Sequence, residues 1–313
     1  MLGQAGCGHS PMAPDDPTGP VITCPSAVTV QSPDDGPVSV SFAPATIVGG
    51  VAPVTLSCTA GSGNAFPVGM TNVTCTATDS RARASACRFA ITVRPVPALT
   101  VTRFLAFGDS LTEGVISPPG AVFPNEAYPL KLQGLLAQRY TRQSVTVINE
   151  GRAGEYACCD SAASSGGRRR LPDVLTRQHP DVLLLMEGTN DLLEPDGFTR
   201  GISALEQMVV EARTRGMLVF LATIPPQRSG GARNRGAVAA MIPRFNDEIR
   251  ALATRQSVTM VDVYAAIEPD LQRLIGPDDL HLVPEGYTVV AQTFFEVIRA
   301  RLEVTTAALS YGR

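Results

Sequence analysis

Ser110 stands at the end of the run Phe104-Leu105-Ala106-Phe107-Gly108-Asp109-Ser110, where an apolar strand hands the chain to a turn and a helix. A serine delivered in this way projects from the carboxyl edge of a sheet, as in a nucleophile elbow. Its hydroxyl is a weak nucleophile alone and needs a base, a group to orient that base, and donors for a developing oxyanion. The chain has three histidines. His9 lies in a leader rich in Pro, Gly and Asp, and His179 precedes Pro180 at the amino end of a buried strand, the wrong edge. That leaves His281, in Asp278-Asp279-Leu280-His281-Leu282-Val283-Pro284, ahead of the last helix. Asp278 can accept from Nδ1 and fix the tautomer that presents Nε2 to the serine. Asp279 is the alternative for that role, and either aspartate could instead cap the helix.

Two further strand ends offer donors. Val147-Ile148-Asn149-Glu150-Gly151-Arg152-Ala153-Gly154 runs into a glycine-rich turn where a backbone N–H can approach a ligand. Leu183-Leu184-Leu185-Met186-Glu187-Gly188-Thr189-Asn190 places an amide at the tip of an apolar strand. Bringing these segments together takes a parallel sheet. Strands at 102–108, 144–149, 181–187, 217–223 and 257–262 alternate with amphipathic helices at about 126–140, 168–178, 200–215, 233–255 and 284–303. That alternation predicts an α/β fold, a doubly wound α/β/α sandwich of three layers with a five-stranded parallel sheet and the site outside the strands' carboxyl ends.

The four blocks around Ser110, Gly154, Asn190 and His281 resemble those of the SGNH (GDSL) hydrolase family, over about residues 102–303. The resemblance implies a flavodoxin-like sheet and a serine esterase with Ser110 as nucleophile and Asp278 and His281 completing a triad. It further implies an oxyanion hole made by the Ser110 and Gly154 N–H groups and the Asn190 side chain; Gly151 is the rival to Gly154, but the family's pattern puts the donor at the second glycine. The expected reaction is hydrolysis of carboxylic esters, short-acyl ones first, through an acyl-enzyme, with carbohydrate deacetylation as a candidate. A lysophospholipase or thioesterase is the alternative within enzymes, and a non-catalytic adhesive surface protein is the alternative outside them. No zinc spacing or phosphate-binding loop is present, so neither cofactor nor metal is expected.

Residues 21–93 change character. Short period-two strands separated by Gly, Pro, Asp and Asn predict an antiparallel β-sandwich. Cys24, Cys58, Cys75 and Cys87 lie on those strands, and of the three possible connectivities Cys24–Cys87 and Cys58–Cys75 are favoured. The segments Pro20-Val21-Ile22-Thr23-Cys24-Pro25, Leu56-Ser57-Cys58, Phe66–Asp79 and Cys87-Arg88-Phe89 resemble a hyalin repeat (HYR) domain, immunoglobulin-like and usually extracellular. A surface, glycan or protein partner is implied for it. The expected organisation is a flexible leader at 1–18, the HYR-like domain at 19–97, the hydrolase domain at 98–305 and a tail at 306–313. Ala5-Gly6-Cys7 looks like the end of a lipoprotein signal, which would anchor the chain at Cys7; a free thiol is the alternative. A secreted, periplasmic or cell-surface location follows.

With 313 residues, 44% hydrophobic and 18% charged, and a net charge of −3, the chain reads as globular and offers no nucleic-acid surface. The basic run Arg168-Arg169-Arg170 reads as a solvated helix face. Cys158 and Cys159 read as two thiols in a variable loop, with a vicinal disulfide as the alternative. No stretch approaches the roughly 20 apolar residues of a membrane span.

Overall fold

The computed structural model describes residues 18–160, 166–230 and 235–305. The expectations placed on Cys7, His9 and the tail fall outside them. The chain divides into two compact units, one of residues up to Val96 with the segment from Thr305, the other Pro97–Val304.

The first unit is all β. Its strands are β1 (Val21–Thr23), β2 (Val28–Gln31), β3 (Val38–Ser39), β4 (Thr46–Val48), β5 (Thr55–Cys58), β6 (Ala65–Phe66), β7 (Gly69–Thr78) and β8 (Ala84–Arg94). A four-stranded sheet, β2-β8-β7-β5, faces two small sheets, β1-β4 and β3-β6. Val73, Cys75 and Ala77 of β7 and Phe89, Ile91 and Val93 of β8 point inward, where they meet Ile22, Val40 and Phe66. The alternation demanded by a half-buried strand is thus kept. One expectation is corrected: β2 runs parallel to β8, so the main sheet is mixed. Alternation records which face a residue takes and carries no information on strand direction. Cys24 is bonded to Cys87 and Cys58 to Cys75.

The second unit begins with β9 (Pro97–Leu99) and β10 (Arg103–Gly108). It continues through α1 (Ser110–Glu113), β11 (Val115–Ile116), β12 (Ala121–Val122), α2 (Tyr128–Arg139), β13 (Thr146–Gly151), α3 (Gly167–Gln178) and β14 (Val182–Met186). A 3-10 turn (Asp191–Leu193) leads to α4 (Gly197–Thr214), β15 (Leu218–Ala222), α5 (Gly236–Arg255) and β16 (Thr259–Val261). After α6 (Val263–Ile267) and α7 (Leu271–Leu274), α8 (Pro284–Leu302) and β17 (Glu303–Thr305) end the unit. Five strands form a parallel sheet in the order β13-β10-β14-β15-β16.

Successive residues of one strand feed opposite cores. Phe104 and Ala106 of β10 join Tyr128, Leu132 and Phe294 of α2 and α8, while Leu105 and Phe107 join Leu171, Leu205 and Phe245 of α3, α4 and α5. Both sheet faces are covered, which is why the strands read as continuous apolar runs. The chain steps from β10 outward to β13 and then back across β10 to β14, so the winding direction reverses there and the carboxyl ends of β10 and β14 flank the switch point where such sheets bind ligands. Ser110 follows that end directly. No helix among the described residues is long and apolar enough to cross a membrane.

Candidate active site

The β10 strand delivers Asp109 as the N-cap of α1, where its Oδ1 accepts the Leu111 N–H at 2.9 Å. This bond fixes the first turn, and with it the direction of Ser110. Ser110 is the first helical residue, so its N–H has no partner within the helix.

His281 arrives from the loop before α8. Its Nε2 lies 2.9 Å from Ser110 Oγ and its Nδ1 2.6 Å from Asp278 Oδ2. Asp278 Oδ1 also accepts the main-chain N–H of His281 at 2.9 Å and that of Leu280 at 3.2 Å, so the carboxylate folds the loop around itself. Burial would raise the Asp278 carboxyl, but the hydrogen bonds from the His281 ring and from these two N–H groups outweigh it and hold the carboxyl well below the usual range. The Asp278 N–H is tied to Ser117 Oγ at 3.2 Å. Asp279 is placed differently: its carboxylate lies 3.5 Å from Arg228 Nε and its carbonyl accepts the Arg228 N–H at 3.1 Å. Neither aspartate caps α8, whose N-cap is Val283.

The two donor-bearing strand ends are cross-braced. Asn190, after β14, gives Nδ2–H to the carbonyl of Glu155 at 2.8 Å. Asp191 accepts the N–H groups of Ala157 at 2.7 Å and Cys158 at 2.9 Å. Gly154, just before Glu155, takes φ +75°, a backbone suited to glycine. Among the described residues no acceptor takes its N–H, whereas the Gly151 N–H is engaged by Asn149 Oδ1 at 2.9 Å. Glu113, at the end of α1, accepts the Ala153 N–H at 2.6 Å and so links the helix that begins at Ser110 to this turn. Ser110, Asn190 and His281 are all nearly buried, at 5%, 9% and 6% exposure.

Beneath these residues lies a group of buried carboxyls that the sequence did not point out. Asp109, Glu155, Glu187 and Asp191 are all almost wholly inaccessible. Burial pushes each of them upward; repulsion from Asp191 and Glu155 adds to it for Asp109, and repulsion from Glu155, Asp109 and Asp191 adds to it for Glu187. Neither carboxyl oxygen of Glu187 has a hydrogen-bond partner among the described residues. Two further expectations are corrected here. Cys158 and Cys159 are joined as a vicinal disulfide rather than lying as two thiols. Arg170, read as part of a solvated face, is 8% exposed and paired with Glu155, while Arg168 and Arg169 stay outside. No signal in a run of three arginines distinguishes the inward one except its register on α3, where Leu171 and Val174 also turn inward. Among the described residues no three His, Cys, Asp or Glu side chains are grouped to hold a metal ion.

The family model of the GDSL-like lipase/acylhydrolase family matches residues 106–289, more than half of the chain. The chain belongs to that family. It is accordingly a serine esterase, a hydrolase of carboxylic esters. The HYR domain model matches residues 15–93. An arylesterase from Vibrio mimicus is 26% identical over 192 residues, covering 61% of this chain and 84% of that protein. Among solved structures, a carbohydrate acetylesterase family member from Sinorhizobium meliloti is 22% identical with a TM-score of 0.54, covering 64% of this chain and 98% of that one. A lipase/acylhydrolase from Enterococcus faecalis is 24% identical with a TM-score of 0.54, covering 64% and 97%. At these identities the structural likeness concerns the fold of the second unit.

Proposed function

We propose that this GDSL-like hydrolase cleaves short-acyl carboxylic esters with Ser110 as nucleophile, His281 as general base and acid, and Asp278 as the carboxylate that orients it. The observation that carries the reading is the continuous chain Ser110 Oγ to His281 Nε2 at 2.9 Å and His281 Nδ1 to Asp278 Oδ2 at 2.6 Å. Asp278 holds the ring with Nδ1 protonated, leaving Nε2 free to take the serine proton. Ser110 Oγ attacks the ester carbonyl, and the tetrahedral oxyanion is received by the N–H groups of Ser110 and Gly154 and the second N–H of the Asn190 amide. His281 then passes its proton to the departing alcohol. Water, deprotonated by the same imidazole, opens the acyl-enzyme and releases the acid.

Acetyl esters of carbohydrates are the favoured natural substrates. In support stand the carbohydrate acetylesterase from Sinorhizobium meliloti, which shares the fold, and the arylesterase relative. The HYR domain, with two disulfides in a small β unit, supports a secreted, periplasmic or cell-surface location and a role in binding a surface, glycan or protein. A lipolytic reading draws on exposed Val122, Phe123 and Leu193, which leave the same strand ends as the site. Ser110→Ala is expected to lower hydrolysis of p-nitrophenyl acetate by at least about a thousandfold with an unchanged thermal melt; retained turnover refutes the assignment. A series of p-nitrophenyl esters of rising chain length, run beside acetylated xylan and lysophospholipid, separates the substrate readings. Highest kcat/KM on the longer chains and on lysophospholipid would favour the lipolytic one.

A further inference from the structure

Arg170 occupies a place that neither the triad nor the oxyanion donors account for. It projects inward from the first turn of α3, at 8% exposure, into the space between β10, β13 and the turn that carries Gly154. Its Nε donates to both carboxylate oxygens of Glu155, at 2.8 and 2.7 Å. One terminal nitrogen donates to the Glu150 carbonyl at 2.9 Å, and the other lies 3.3 Å from the Glu150 carboxylate. The guanidinium plane rests over the Phe107 ring at 4.0 Å from its centroid. A single planar cation therefore touches the carboxyl end of β10 at Phe107, the end of β13, and the residue that follows Gly154.

Glu155 is the pivot. Its side chain is fully buried on Arg170, and its main-chain carbonyl accepts the Asn190 Nδ2–H at 2.8 Å. Whatever fixes Glu155 fixes both the amide plane of Asn190 and the direction of the preceding peptide. Guanidinium is suited to this task because its donors lie in a rigid fork and its face stacks on an aromatic ring; an ammonium supplies neither. We propose that Arg170 is a positioning residue for the oxyanion hole, acting through Glu155 on Asn190 and Gly154. This rests on the reading of Asn190 and Gly154 as oxyanion donors. Donors preorganised toward the oxyanion act on the transition state and little on the bound ester, so misplacing them lowers kcat and leaves KM nearly unchanged.

The test compares Arg170→Lys, Asn190→Ala and the double variant on p-nitrophenyl acetate, with Arg169→Lys as a control on the exposed face. Arg170→Lys is expected to lower kcat about 10- to 50-fold with KM within about twofold. In the Asn190→Ala background the same change should cost several-fold less than in wild type, because one of the two donors through which Arg170 acts is already gone and only the share passing through Gly154 remains. If Arg170→Lys fails to fold, Arg170→Met combined with Glu155→Gln removes both buried charges together and should show the same selective fall in kcat. A Tm loss with unchanged kcat, a rise in KM alone, or losses that multiply in the double variant would overturn the proposal. Wild-type turnover that is insensitive to Asn190→Ala would instead remove the oxyanion reading beneath it, and the proposal would fall with that reading.

Discussion

Asp109 lies immediately before Ser110, the proposed nucleophile, with one carboxylate oxygen on the Leu111 N–H and the other on no protein partner among the described residues. Burial pushes it up to about 7 from an ordinary 3.8; the Leu111 bond pulls it back, and Asp191 and Glu155 push it further. In the unfolded chain the group ionises near its ordinary value, so the folded state keeps a proton that the unfolded state has released. Its contribution to stability is complete below about pH 4 and is lost as pH rises through about 7, amounting to up to about 4 kcal/mol. Asp109→Asn retains an acceptor for Leu111 but cannot ionise. Urea melts across pH 4–8 should therefore show a shallower fall in stability for this variant than for wild type. Parallel curves would mean that Asp109 is not the titrating group. Such couplings were invisible in the sequence, where Asp109 was simply part of an elbow. That Ser110, His281 and Asp278 come together was legible because so few histidines were available and because His281 and Asp278 sit three residues apart. Arg170 and the Cys158–Cys159 bond were not, since burial and side-chain direction are set by neighbours distant in the chain.

At the scale of elements, the loop 276–281 shows how little room the site leaves. The Gly276 N–H donates to the His281 carbonyl at 2.7 Å, and its carbonyl accepts from Asp279 N–H and from the Arg228 side chain. A Cβ at Gly276 would fall 2.2 Å from the Ser117 carbonyl oxygen, and Ser117 Oγ holds the Asp278 N–H. Gly276→Ala must therefore push this loop away from β11 and move His281 relative to Ser110. A displacement on the order of 1 Å is expected to lower kcat about a hundredfold, measured on p-nitrophenyl acetate with the circular dichroism spectrum preserved. Activity within threefold of wild type would show that the loop absorbs the change. The five strands and five long helices were readable within about three residues at most ends, because apolar runs and 3.6-residue periods persist over such lengths. The α1, α6 and α7 helices, of four, five and four residues, are too short to show a period. The pairing of β9 with β17 joins segments from opposite ends of the unit and leaves no local signature.

For the whole molecule, each unit closes a core from its own residues, and the proposed site residues lie within Pro97–Val304. The first unit has only a small set of buried apolar side chains, so its covalent links carry a large share of its stability. The Cys24–Cys87 bond joins residues 63 apart, for which loop-closure entropy gives about 4 kcal/mol; Cys58–Cys75, 17 apart, gives about 3 kcal/mol. Removing the longer link in a Cys24→Ala/Cys87→Ala variant of the full chain should lower the melting temperature of the HYR domain by about 15–30 °C. Global reduction is less informative, since it would open Cys158–Cys159 beside the site as well. Because the proposed site residues share no core with the altered domain, kcat/KM on p-nitrophenyl acetate should stay within about twofold of wild type at a temperature where the first unit is unfolded. A parallel collapse of activity would show that the two units are thermodynamically one. Unchanged activity on the small ester with a fall on acetylated xylan would assign the HYR domain to bringing the polymer to Ser110.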